Sequence, residues 1–90
     1  MNKAQNPVRA PAELGSIVRR HRKSQGITLE ELADLTGLGV RFLSEFERGK
    51  PTAEIGKVLE ALATMGLEVY VVPRQLAPRV NELLAKAERD

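Results

Sequence analysis

Residues Gly26–Lys50 read GITLEELADLTGLGVRFLSEFERGK, and this stretch decides the fold. It predicts two short helices joined by a tight turn. Thr28 is suited to cap the first helix, and Glu31 three residues on completes a T-x-x-E capping box. Ile27 before the cap and Leu32 inside the helix can close a hydrophobic staple. The first helix carries Leu32, Ala33 and Leu35 and stops at Gly37, where a residue without Cβ enters a left-handed turn without penalty. After Leu38 and Gly39 a second helix is expected from about Val40 to Arg48, ended by Gly49. Leu43 and Phe46 face inward, one turn apart. Val40, Arg41, Ser44, Glu45 and Arg48 face outward. Two helices crossing at a small residue, Ala33, fit a helix-turn-helix.

The spacing goes further. Gly26, Ile27, Thr28, Glu30, Glu31, Leu32, Ala33, Gly37, Glu47, Arg48, Gly49 and Lys50 match the pattern G-[LI]-T-x-E-E-L-A, turn Gly, apolar helix, E-R-G-K. The stretch resembles the DNA-binding domain of the phage-repressor (XRE) family of bacterial regulators. The resemblance implies a four-helix, lambda-repressor-like domain. It also implies an ion pair between Arg22 in the preceding helix and Glu47 near the end of the second. One position departs from the pattern: Leu29 stands where the family often has a Gln that touches phosphate.

Working outward toward the N-terminus, a helix is predicted from about Pro11 to Gln25. Proline suits its first position and Gly26 the position past its end. Leu14, Ile17, Val18 and His21 fall on one face. Gly15 costs about 1 kcal/mol against alanine in mid-helix; either another backbone comes close there or the glycine is simply tolerated. The sole histidine, His21, has no carboxylates at ligand spacing and no Ser–Asp context, so it reads as structural or superficial. Residues 1–10 lack periodicity and read as a flexible arm, with Lys3 and Arg9 able to reach a DNA backbone and a terminus without a role as the simpler reading. The opening MNKAQNPVRAPAEL has no apolar segment, so no signal peptide is expected.

Working outward the other way, a fourth helix follows the Lys50–Pro51 turn. Thr52 is its expected N-cap, Glu54 suits its positive end, and Ile55, Val58, Leu59, Leu62 and Met65 form its expected core stripe up to Gly66. Leu67–Val72, LEVYVV, then changes to period two and is closed by Pro73. A single strand has unpaired backbone groups and needs a partner. The same strand of a second copy, antiparallel across a two-fold axis, supplies it. Leu67, Val69, Tyr70 and Val71 are therefore the expected dimerisation residues. Beyond, Leu76, Val80, Leu83, Leu84 and Ala87 define an amphipathic helix from about Pro78 to Arg89. That helix suits packing on the dimer or on another protein.

The expected organisation is mainly α: a flexible arm (1–10), a helix-turn-helix domain (11–66), one strand pairing between subunits (67–73), and a C-terminal amphipathic helix (74–90). Over residues 12–73 the chain is similar to the HipB-like branch of the family. That likeness implies a homodimer that is an antitoxin, binds a HipA-type kinase toxin and represses its own operon.

Composition sets the remaining bounds. Ninety residues, 42% hydrophobic and 29% charged, suit one globular domain, and the absence of cysteine excludes disulfides and thiolate chemistry. The net charge is only +2, but its distribution is uneven. Among residues 1–27, Lys3, Arg9, Arg19, Arg20, Arg22 and Lys23 stand against Glu13, a local +5, while residues 28–72 carry −4 and residues 73–90 carry +1. A basic segment beside a helix-turn-helix suits double-stranded DNA on one side of the molecule. No Gly-rich phosphate loop, metal cluster or nucleophile–base pair occurs, so neither enzyme activity nor a cofactor is expected. The longest apolar run is too short for a bilayer, and a cytoplasmic protein is expected.

In family register, Val40, Arg41 and Glu45 are base-facing, Ser44 lies beside them, and Arg48 lies near a phosphate. Thr28, Leu29, Gly39 and Lys50 complete the expected DNA side, and Lys23 is a candidate phosphate contact. Arg41 is the main specificity residue, because its guanidinium can donate two hydrogen bonds to guanine O6 and N7. Its other option is an i, i+4 pair with Glu45 on a solvated surface. Glu45 either accepts from cytosine N4 or orients Arg41, and the second is preferred because phosphates repel a carboxylate. Two alternatives to the antitoxin stay open: a stand-alone repressor without a toxin, and a protein-interaction module.

Overall fold

Helix follows helix wherever the sequence places a cap, an apolar stripe and a stop. The computed structural model describes residues 7–89, of residue 89 only the backbone. Its elements are α1 (Pro11–Ser24), α2 (Leu29–Thr36), α3 (Val40–Glu47), α4 (Ile55–Thr64), a 3₁₀ turn (Arg74–Leu76) and α5 (Ala77–Arg89). The expected N-terminal arm falls largely on residues 1–6, outside the described residues; Lys3 is among them.

The chain divides into two compact units. Arg9–Glu68 forms the first, and Val69 onward belongs to the second. In the first unit, α2 is opened by the capping box. The Thr28 hydroxyl accepts from the Glu31 amide at 3.0 Å, and the Thr28 amide donates to the Glu31 carboxylate at 2.8 Å. Gly37 (φ 77°) closes α2 in the left-handed region, which lets the chain turn within three residues into α3.

Two apolar clusters hold the four helices. Val18, Phe46, Val58 and Leu62 form one; Leu32, Leu43, Ala61 and Met65 form the other. Phe42 and Leu67 pack against both and so join them. Ile27, Leu29 and Ala33 pack on the Leu32 cluster. Gly15 sits under the C-terminal end of α3: a Cβ there would lie 2.7 Å from the Glu47 carbonyl oxygen and 2.9 Å from its carbon. The close backbone approach is the reason for glycine in mid-helix. His21 has a structural part. Its Nε2 lies 2.9 Å from the Met65 carbonyl oxygen. A carbonyl only accepts, so Nε2 donates and ties α1 to the end of α4.

Three details differ from the sequence reading. Helix α4 begins at Ile55 with Glu54 as N-cap, not at Thr52. Residues 51–53 are used by the turn, which seats Ala53 against the Val18 cluster. The stripe on α4 is also rotated: Ile55 and Leu59 are exposed, at 67% and 47%, and Ala61 takes the inward place beside Val58, Leu62 and Met65. Both phases share Val58 and Leu62, so apolar spacing alone did not separate them. Leu35 on α2 is likewise exposed.

Among the described residues there is no β-strand. Leu67 packs into the first unit, whereas Tyr70 and Val71 are 81% and 93% exposed. A ladder between two copies has no counterpart within one chain, so pairing of this segment is a matter of assembly. In the second unit, the 3₁₀ turn leads into α5, on which Leu83 is exposed and Val80 half-buried.

Candidate nucleic-acid interface

Helix α3 has two faces of different character. Leu43, Phe46 and Glu47 are buried, while Val40, Arg41 and Arg48 are exposed. Ser44 and Glu45 are half-buried between them. Gly39 caps the helix with extended backbone and no side-chain hydrogen bond, which leaves its first amides without a side-chain cap. The capping residue Thr28 at the start of α2 is exposed. Leu29, by contrast, packs on the Leu32 cluster, so its side chain is turned toward the core. An apolar residue there cannot donate to a phosphate as a glutamine would.

Beneath α3 lies the one buried ion pair among the described residues. Arg22 Nε donates to Glu47 Oε2 at 2.8 Å and Nη2 to Oε1 at 2.9 Å, with both residues 7% exposed. Arg22 Nη1 also donates to the Ile27 carbonyl at 2.8 Å, which ties the loop before α2 into the same contact. The Glu47 carboxylate raises the Arg22 pKa, chiefly through these hydrogen bonds. The guanidinium meets the carboxylate through two parallel donors, the bidentate geometry that makes such pairs strong. This pair fixes α3 on α1 and so fixes where the outer face points.

On the outer face, three charged residues meet. Glu45 Oε2 accepts from Arg41 Nε at 3.4 Å, and Oε1 accepts from Lys50 Nζ at 3.1 Å. The Lys50 hydrogen bond is the larger cause of a lowered Glu45 pKa, and Arg41 adds to it against partial desolvation. The Arg41 side chain is 91% exposed. The i, i+4 spacing of Arg41 and Glu45 is legible in the sequence; the approach of Lys50 is not. It depends on Gly49 (φ 94°), which turns the chain back at the end of α3. Lys57 Nζ lies 5.6 Å from the Phe42 ring centroid, a contact that sequence spacing also did not disclose.

Arg19, Arg20 and Lys23 are exposed on α1, and Arg20 donates to the Ser16 hydroxyl at 2.8 Å. No group of His, Asp or Glu among the described residues is arranged to hold a metal ion. No helix there is long and apolar enough to cross a membrane.

Comparison with known proteins follows the same lines. The family model described as Helix-turn-helix matches residues 18–70. The uncharacterized HTH-type transcriptional regulator y4mF of Sinorhizobium fredii (strain NBRC 101917 / NGR234) is 45% identical over 65 residues, covering 72% of this chain and 86% of that protein. Among solved structures, the HipB–O4 20mer complex aligns with a TM-score of 0.71 at 20% identity, covering 77% of this chain and 97% of that one. The HipA–HipB–O2–O3 complex aligns with a TM-score of 0.72 at 20% identity and the same coverage of both chains. At that identity the likeness to HipB is one of fold.

Proposed function

The chain belongs to the helix-turn-helix family, whose members here are transcriptional regulators rather than enzymes, and from that premise we propose a specific role. The protein is a cytoplasmic, sequence-specific repressor that binds a palindromic operator as a homodimer. It is the antitoxin of a HipA-type kinase toxin and represses the operon that encodes both. The observation that carries the DNA-binding part is the outer face of α3. Val40 and Arg41 are exposed at the first turn of a helix whose back is anchored by Leu43, Phe46 and Glu47.

The roles follow from chemistry. The N-terminal half of α3 enters the major groove. Arg41 donates from both Nη groups to guanine O6 and N7, and Val40 packs on a thymine methyl. Ser44 adds a hydroxyl beside them. Gly39 lets the backbone come close, and the amide ends of α2 and α3, at Thr28, Leu29 and Gly39, favour phosphate oxygens. Leu29 contributes only its backbone. Arg48 and Lys23 face phosphates.

Dimerisation through residues 67–72 places two such helices on successive major grooves. The antitoxin part is supported by the fold shared with HipB, which has been solved with HipA and O2–O3. Duplexes selected by the protein from a random pool test the first part. Two symmetric half-sites with centres roughly 34–36 Å apart are expected. Arg41→Ala is expected to lose discrimination at one base pair per half-site, and Lys23→Ala to weaken all duplexes alike. Capture of the tagged chain from its host tests the second part. A kinase-fold protein in stoichiometric amount is expected; DNA without such a protein indicates a repressor with no toxin.

A further inference from the structure

Lys50 directly follows Gly49, the left-handed residue that ends α3. The end of α3 is a Schellman motif: the Gly49 amide donates to the Phe46 carbonyl at 2.9 Å, and the Lys50 amide donates to the Glu45 carbonyl at 3.0 Å. The second bond brings the residue after the left-handed glycine back over the residue five positions earlier. In this motif the two side chains usually make an apolar contact. Here they are an ammonium and a carboxylate, 3.1 Å apart, on the outward face of the helix.

The order of contacts matters. Lys50 takes one oxygen of Glu45, and the other is left toward Arg41. Arg41 meets it through Nε, not through either Nη. That choice leaves the Nη1–Nη2 edge free, an edge that can fork onto guanine O6 and N7. The Arg41 contact is the longer of the two, 3.4 Å against 3.1 Å, and its side chain is the more exposed. Lys50 is therefore the closer partner, its backbone tied to Glu45 by the turn, and Arg41 is the more exposed one.

We propose that Lys50 is a positioning residue for base readout: through Glu45 it sets the rotamer of Arg41, rather than serving as a phosphate contact. The inference rests on the reading of α3 as the helix that enters the major groove. It assigns sequence discrimination to a residue beyond the end of that helix, by way of a carboxylate that touches no base.

The test uses the full chain with two probes: a duplex selected by the protein from a random pool, and the same duplex altered at the base pair that Arg41→Ala ceases to read. Lys50→Gln is expected to lower the affinity ratio between them by roughly three- to tenfold, part of what a bidentate arginine–guanine contact supplies. Affinity for the altered duplex should fall by less than affinity for the selected one, so that the loss appears in the ratio between them. In a Glu45→Gln background, Lys50→Gln should change the ratio no further.

The proposal is overturned if Lys50→Gln weakens both duplexes equally with a salt slope shallower by about one, the mark of a phosphate contact. It is also overturned if the losses from Lys50→Gln and Glu45→Gln simply add. A wild-type chain that selects no duplex would instead remove the underlying reading of α3. Lys50 and Glu45 lie outside both apolar clusters, so circular dichroism should report a folded protein in each variant.

Discussion

Arg22 and Glu47 meet in a two-bond pair between α1 and α3, at 2.8 Å and 2.9 Å, where both side chains are buried. The pair stands directly behind the outward face of α3, and α3 has only eight residues. A helix so short is held by tertiary contacts rather than by its own propensity. The pair therefore positions the candidate interface as well as stabilising the domain.

Glu47→Ala is expected to destabilise the protein by about 3–5 kcal/mol, because Arg22 would remain buried without its partner. Thermal melts of Glu47→Ala, Arg22→Ala and the double variant check this. The double variant should be less destabilised than the sum of the singles. Simple addition would mean that the two side chains are not coupled.

Gly15→Ala makes an opposite use of the same helix crossing. Alanine favours a helix over glycine by about 1 kcal/mol. At residue 15, however, the new methyl would meet backbone atoms of Glu47 at 2.7 Å and 2.9 Å, and backbone cannot rotate away as a side chain can. Overpacking of this kind costs about 1–3 kcal/mol. Net destabilisation is expected, read as a lower melting temperature. A rise in melting temperature would show that α1 can shift away from α3 without loss.

The Glu45 carboxyl gives a pH-dependent readout. Its pKa is lowered, first by the Lys50 hydrogen bond and then by Arg41. A carboxyl whose pKa falls on folding contributes stability above its unfolded value, and that contribution is lost as pH falls through the folded value. NMR titration of the Glu45 side-chain carbon should therefore give a midpoint below that of an unperturbed glutamate. Lys50→Gln should move that midpoint upward. An unchanged midpoint in Lys50→Gln would show that the contact does not persist in solution.

What the sequence disclosed depended on how local each feature is. The capping box at Thr28 and Glu31, the stop at Gly37 and the inward pair Leu43 and Phe46 all follow from neighbours within one or two turns. The helices are accordingly legible to within a residue or two. Features set by packing were not. Ile55 and Leu59 share a stripe with Val58 and Leu62, and only the seating of Ala61 between helices decides which side is inward. Phe42, which the inward spacing of Leu43 and Phe46 does not single out, touches both apolar clusters and stacks near Phe46 with ring centroids 6.4 Å apart. At the candidate interface, the Arg41–Glu45 spacing was visible because it is helical. The Lys50–Glu45 contact was not, because it needs the left-handed turn at Gly49. The inward turn of Leu29 likewise follows from where α2 rests on the core.

The last expectation concerns residues 67–72. Val69, Tyr70 and Val71 are exposed in the single chain, and their alternation is that of a strand rather than a helix. Exposed apolar residues with strand spacing are a template for pairing with another chain. Antiparallel pairing with a second copy would satisfy their backbone groups and cover Val69 and Val71. Proline cannot donate to a ladder, so Val69→Pro or Tyr70→Pro should remove a hydrogen bond and disturb the ribbon, the more severe being the one whose amide faces the partner. The first unit, Arg9–Glu68, ends before these positions, so its helices should survive both changes. At least one variant is expected to sediment as a monomer with its helical circular dichroism kept. Operator affinity should fall by orders of magnitude, because two linked half-sites become one. If both variants sediment as dimers at micromolar concentration, the strand is not the contact. The exposed Ile55 and Leu59 on α4, or the apolar stripe of α5, would then hold the two copies together.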